Sequence, residues 1–154
     1  MHMKATITGK QLAGIVAVPA RVWFNAGNGL RLRIIDRTRR QNVDADGAPF
    51  EAYSEGYKKA KGKKSGLSGG GRVDLTGAGG GPKMLNNIVL TARATNNPRI
   101  QLYFATAEKA QIAQYHMGEG RVDRKFFAMS DDDTDYIVNY VKNWAKTGAG
   151  SQRG

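Results

Sequence analysis

The sequence predicts a small α+β domain in which helices pack on an antiparallel sheet. Three observations carry this prediction. Apolar residues recur at helical spacing near both ends of the chain. Two alternating segments flank an Asn/Pro turn late in the chain, the pattern of a β-hairpin. A Gly- and Lys-rich stretch separates the first helical region from that hairpin. The expected order is helix, long loop, hairpin, helix, short strand, helix, a layout of helices on one side of a sheet. At 154 residues the chain is long enough for one core without cross-links, and it has no cysteine. The expected domain runs over 1–147, with 58–83 an extended loop and 148–154 a flexible tail.

Lys4 to Thr8 alternates weakly and reads as a short strand. Met1-His2-Met3 reads as a cloning remnant ahead of a native Met3 and is given no structural weight. Gln11 to Asn42 reads mainly helical, in one or two pieces, with Pro19 in a first helical turn, where its missing N–H costs little. Val18, Val22, Leu30, Ile34 and Arg37 fall on one face. Gly27 and Gly29 each weaken a helix by about 1 kcal/mol relative to Ala, so a kink or break is expected near Asn25 to Gly29. Arg31, Arg33, Arg37, Arg39 and Arg40 cluster at the C-terminal end, where positive charge suits the helix dipole.

Asp46-Gly47 and Pro49 mark a turn. Phe50, Tyr53 and Tyr57 follow at spacings of three and four and can dock a short segment onto the core. Five lysines then fall within Lys58 to Lys64, and glycine dominates from Gly62 to Gly81. Such a segment buries too little apolar surface to offset its conformational entropy, so Lys58 to Lys83 is expected to be a long, mobile, basic loop. Leu85 to Ala94 leads from a turn into a strand in which Ile88, Leu90 and Ala92 alternate with Val89, Thr91 and Arg93. Arg99 to Ala105 places Ile100, Leu102 and Phe104 on one face. Thr106 to Met117 is a helix with Thr106 as N-cap and Gly118 as its stop. Its apolar stripe is Ala110, Ala113 and Met117, with Ile112 and Tyr115 beside it. Arg124 to Met129 is expected as a short strand carrying Phe126 and Phe127. Ser130 and Asp133 fit a capping box opening a last helix, on which Ile137, Tyr140, Val141 and Trp144 share a face.

The net charge of +11 is local rather than uniform. Residues 1–72 hold 14 Lys/Arg against 5 Asp/Glu, whereas 73–154 hold 10 against 8. A concentrated positive surface favours polyanions or an acidic protein partner. The candidate contacts are Arg31, Arg33, Arg37, Arg39, Arg40, Lys58, Lys59, Lys61, Lys63 and Lys64; the plainer reading of the arginines is a solvated helix face. No apolar run approaches the ~18 residues of a membrane helix, and no signal-peptide pattern opens the chain. A soluble protein made in the cytoplasm is expected.

Enzymatic readings are weak, and no enzyme activity is expected. Of the two histidines, His2 lies in a tag or frayed end and His116 stands alone at a helix end, where packing explains it better than chemistry. Asp131, Asp132, Asp133 and Asp135 form the one acidic cluster, and helix capping accounts for it better than a metal does. The glycine-rich stretch lacks the Gly-Lys-Ser/Thr ending of a phosphate loop. No cofactor or metal is expected. The alternative function read from charge is nonspecific nucleic-acid binding by the basic N-terminal half, since no sequence-reading motif accompanies it.

Four local patterns, in order, resemble the phage virion morphogenesis family of Mu-like phages. The first is Asp44-Ala45-Asp46-Gly47-Ala48-Pro49-Phe50, similar to an acidic D-G-x-P-W-like turn, with Phe50 in place of Trp. The second is the Lys-rich loop with Val73-Asp74-Leu75-Thr76-Gly77, similar to an L-x-D-T-G-like ending. The third is Ala113-Gln114-Tyr115-His116-Met117-Gly118, similar to an A-x-x-H-x-G helix end. The fourth is Arg124-Lys125-Phe126-Phe127-Ala128-Met129-Ser130-Asp131-Asp132-Asp133, similar to R-P-F-L-G-L-S-x-x-D, with Lys125 in place of Pro. The family-motif positions are therefore Asp46, Gly47, Pro49, Phe50, Asp74, Tyr115, His116, Gly118, Arg124, Phe126 and Phe127. The resemblance, over about residues 30–145, implies a virion protein at the head–tail junction, of neck, tail-completion or tail-terminator type. It implies a homo-oligomeric ring of six or twelve copies that meets other neck, portal or tail proteins, with DNA in the channel as a further contact.

Overall fold

The computed structural model describes residues 2–6, 12, 17–59, 75, 84–94, 98–119 and 123–148. They belong to two compact units, each assembled from separate stretches of chain. The first takes Ile34–Val89 and Phe104–Ala128; the second takes His2–Arg33, Leu90–Tyr103 and Met129–Gly154. The secondary structure is the expected α+β combination, with a three-stranded antiparallel sheet.

Strand β1 (His2–Thr6) pairs antiparallel with β3 (Arg99–Phe104), with Met3 opposite Leu102 and Lys4 opposite Gln101. This corrects the reading that gave His2 and Met3 no structural weight. Met3 is buried, and His2 Nδ1 accepts a 2.7 Å hydrogen bond from the Gln101 side-chain amide. Strand β2 (Ile88–Arg93) flanks β3 on the other side, giving the order β1-β3-β2. In β3, Ile100, Leu102 and Phe104 are buried as their alternation predicts. A short 3-10 turn, Leu85–Asn87, leads into β2.

Helix α1 (Ala20–Asp36) starts one residue after Pro19, whose carbonyl accepts the Val22 N–H at 2.9 Å. Pro19 thus stands at the boundary rather than inside the first turn. The helix passes through Asn25 to Gly29 without the expected break. The glycines are there for packing. A Cβ at Gly27 would lie 2.6 Å from Leu90 Cδ1 and 2.9 Å from Ile100 Cγ2, and one at Gly29 would overlap the Tyr136 phenol. In the second unit α1 buries Val22, Trp23, Ala26 and Leu30. Its last turn, in the first unit, passes into a π-helical segment, Arg37–Gln41, which ends at Asn42 in the left-handed conformation (φ 57°). Thr38 Oγ1 donates to the Ile34 carbonyl at 2.7 Å, a side-chain bond that competes locally with the helix ladder.

Helix α2 (Ala107–His116) is capped as expected: Thr106 Oγ1 accepts the Lys109 N–H at 3.4 Å, and Gly118 (φ +105°) ends it. Of its expected stripe Ala113 is fully buried, while Ile112 and Tyr115 are exposed. The expected strand over Arg124 to Met129 does not form. The Phe126 N–H turns back to the Arg124 carbonyl at 2.6 Å, and the Lys125 carbonyl accepts from Ala45 at 3.1 Å, so the segment bends inward and buries Phe126 and Phe127. Helix α3 (Asp131–Gly148) opens with a reciprocal capping box. The Asp133 N–H donates to Ser130 Oγ and the Ser130 N–H to Asp133 Oδ2, each at 3.1 Å. Its Ile137, Val138 and Val141 side chains are buried. Among the described residues no helix is long and apolar enough to cross a membrane. Most of the expected basic loop, and the tail beyond Gly148, lie outside the described residues.

Candidate functional site

The residues that carry the family resemblance come from distant stretches, and the structure brings several of them together in the first unit. The tight loop at Asp44 comes first. Asp44 Oδ1 accepts the N–H groups of Asp46 (2.9 Å) and Ala48 (2.8 Å), and the Asp44 N–H donates to the Ala48 carbonyl at 2.8 Å. Gly47 sits at φ +82°, a left-handed position that suits glycine. Val43 bridges to Pro49, and the Phe50 N–H returns to the Asn42 carbonyl at 3.0 Å. The Asp-x-Asp-Gly pattern is thus an Asx-type turn. The segment Glu51 to Tyr53 follows it.

Arg124 gathers that segment. Its Nε and Nη2 donate to the Glu51 carbonyl at 3.1 and 2.9 Å, Nη2 reaches the Ala52 carbonyl at 3.5 Å, and Nη1 donates to His116 Nδ1 at 3.1 Å. The guanidinium carbon lies 5.0 Å from the centre of the Tyr53 ring, a cation–π distance. Its own N–H donates to the His116 carbonyl at 2.6 Å, and the residue is 4% exposed. Tyr53 passes the chain of contacts on: its hydroxyl accepts the Leu75 N–H at 3.0 Å, and its ring lies 4.7 Å from that of Tyr57. Leu75 is buried at φ +53°, an uncommon conformation for a non-glycine residue.

His116 is tuned away from proton chemistry near neutral pH. Burial first, and the Arg124 charge second, lower its pKa to about 4. The ring is therefore neutral at pH 7, with Nδ1 accepting from Arg124 and the proton on Nε2. Burial also lowers the Arg124 pKa from its ordinary value. Below this network the Phe127 N–H donates to Met117 Sδ at 3.4 Å, and the Phe127 ring lies 4.8 Å from Phe104 and 6.2 Å from Phe126. Tyr115, next to His116, points outward and is 60% exposed. Asp74 lies outside the described residues, though its neighbour Leu75 is in the network.

The basic candidates do not form one set. In the first unit Arg37 is buried and its Nη2 donates to the carbonyls of Phe126 (3.3 Å) and Ala128 (2.9 Å). Arg40 pairs with Asp36 at 3.3 Å, Lys58 pairs with Glu55 at 2.7 Å, and Arg39 and Lys59 are exposed. In the second unit Arg33 bonds the buried Asp133 at 3.2 Å and lies over the Tyr136 ring, while Arg31 is half-buried. Lys61, Lys63 and Lys64 lie outside the described residues. Arg33 and Arg37 thus hold parts of their own units together.

Sequence reasoning missed the weight of Tyr53 and of the Glu51 carbonyl. The first had a signal, its place in the Phe50–Tyr53–Tyr57 spacing; a backbone acceptor has none. Among the described residues no group of three or more acidic or histidine side chains is placed to hold a metal. No family model, curated protein or solved structure matches the chain.

Proposed function

We propose that the chain is a structural subunit of a tailed-phage virion, acting at the head–tail junction as a neck, tail-completion or tail-terminator protein. Copies assemble as a ring and meet other neck, portal or tail proteins. One observation carries the reading. The Arg124 side chain joins its own segment and the His116 helix end to the Glu51 and Ala52 carbonyls just after the Asp-Gly turn, and within that turn the Ala45 N–H bonds the neighbouring Lys125 carbonyl. That three of the patterns lie at or beside one buried side chain supports the reading.

The character of that arrangement supports a binding role. Arg124 spends its donors on backbone carbonyls and on a neutral imidazole, which fixes the path of the chain. A general base working near neutral pH needs a pKa near 7, well above that of His116. Nonspecific nucleic-acid binding draws less support, because Arg33 and Arg37 of its proposed contact set are committed within the fold.

The test is electron microscopy of a lysate from the producing phage with this gene deleted. Filled heads and separate tails that join when the purified protein is added are the expected result, and the regularity of tail length then separates a terminator from a neck protein. Normal joined virions from the deletion would overturn the reading.

A further inference from the structure

The outer face of α1 has a character that the Arg124 network does not explain. Within the second unit the helix turns Val22, Trp23, Ala26 and Leu30 inward, yet Phe24 is 51% and Leu32 53% exposed. Phe24, Asn28 and Leu32 follow one another at i, i+4 and i+8, so they form a continuous ridge about 12 Å long. Arg21 stands exposed on one flank and Asn25 beside it, and no Asp or Glu occurs between Ala20 and Ile35. We propose that this ridge is a docking surface for an acidic amphipathic helix of a partner protein.

Three considerations choose that occupant. Ridges of i, i+4 residues pack into the grooves of another helix, so a helix matches the shape. Aromatic and arginine side chains without acids are the composition of interface cores, and the charge calls for an acidic counterpart. A second copy packed through this same face would set Arg21 against Arg21 with no acid from either helix to meet it. A phosphate backbone makes no use of the exposed Phe24 and Leu32 side chains. The inference does not rest on the head–tail reading and survives its failure.

The test uses the full chain and three labelled probes in fluorescence anisotropy at physiological salt. One is a synthetic helical peptide with Leu at i, i+3, i+4 and i+7 and Glu on both flanks. The second is the same peptide with Lys for Glu, and the third is duplex DNA. The Glu peptide is expected to bind the natural protein and the Lys peptide to fail. The Phe24→Ser/Leu32→Ser variant is expected to lose about tenfold or more in affinity for the Glu peptide, and Arg21→Glu several-fold. Both variants change exposed positions, and circular dichroism checks that they remain folded. Absent or equal binding of the Glu peptide by natural and Ser/Ser proteins would overturn the proposal. So would DNA binding that is lost in the Ser/Ser variant, or sedimentation showing self-association that the variant abolishes.

Discussion

The two compact units are held by different physics. In the first, a buried arginine hands its donors to the Glu51 and Ala52 carbonyls and to His116, and a second, Arg37, does the same for Phe126 and Ala128. The loops there are tied through hydrogen bonds to backbone atoms. In the second, α1 relies more on close packing, with Gly27 admitting Leu90 and Ile100 and Gly29 admitting Tyr136, beside the Arg33–Asp133 bond. Irregular backbone must satisfy its polar groups with side chains, since it has no ladder to do so. Regular elements satisfy their own and are limited instead by how closely their surfaces approach.

The sharpest way to break this contrast is to remove the arginine. Arg124→Met keeps most of the apolar stem but takes away every donor. It leaves the Glu51 carbonyl without its two guanidinium bonds, and a loss of about 3–5 kcal/mol is expected in urea unfolding. Arg124→Lys should recover only part, because an ammonium cannot fork to the same set of acceptors. Hydrogen exchange should rise first at 43–53, 116–119 and 123–126. A loss below about 1 kcal/mol would show that the first unit, too, is held mainly by packing.

The same difference decides what was legible in the sequence. Periodicity found α3 and its capping box, the alternation of β3, and the cap and stop of α2, because these are local and repeat along the chain. It misjudged Gly27 and Gly29, since propensity argues against them while only the neighbouring Leu90, Ile100 and Tyr136 explain them. It took Arg124 to Met129 for a strand because two phenylalanines suit one; the carbonyls at 124 and 125 are bonded elsewhere. Within the candidate site, His116, Gly118 and Arg124 were visible as a resemblance. Their meeting point was not, because the acceptors that join them are main-chain oxygens, which every residue possesses.

A second test sharpens the polar side of the comparison by titration. His116 is depressed from 6.5 to about 4 in the folded protein. The unfolded chain therefore binds a proton at this site between those values while the folded chain does not. The contribution is fully present above pH 6.5 and is lost as the pH falls through about 4. On the order of 2 kcal/mol is expected across that window, discounted for the partial exposure of the ring. His116→Gln can still accept from Arg124 through its side-chain carbonyl, and it should remove this part of the slope. An unchanged slope in that variant would place the acid sensitivity elsewhere.

The smallest effect probes the steric side. Gly29→Ala sets two terms against each other. Alanine favours a helix by about 1 kcal/mol over glycine, while its Cβ runs into the Tyr136 hydroxyl and ring. The clash should win narrowly, for a net loss of about 1 kcal/mol at the midpoint of thermal unfolding. Removing the obstacle should reverse the sign: in a Tyr136→Ala background the same Gly29→Ala change should stabilise by about 1 kcal/mol, which is the propensity term alone. Equal effects in the two backgrounds would mean that Tyr136 is not what requires the glycine. The reversal would establish that the second unit tolerates its weak helix formers because close approach, and not conformation, is what it selects.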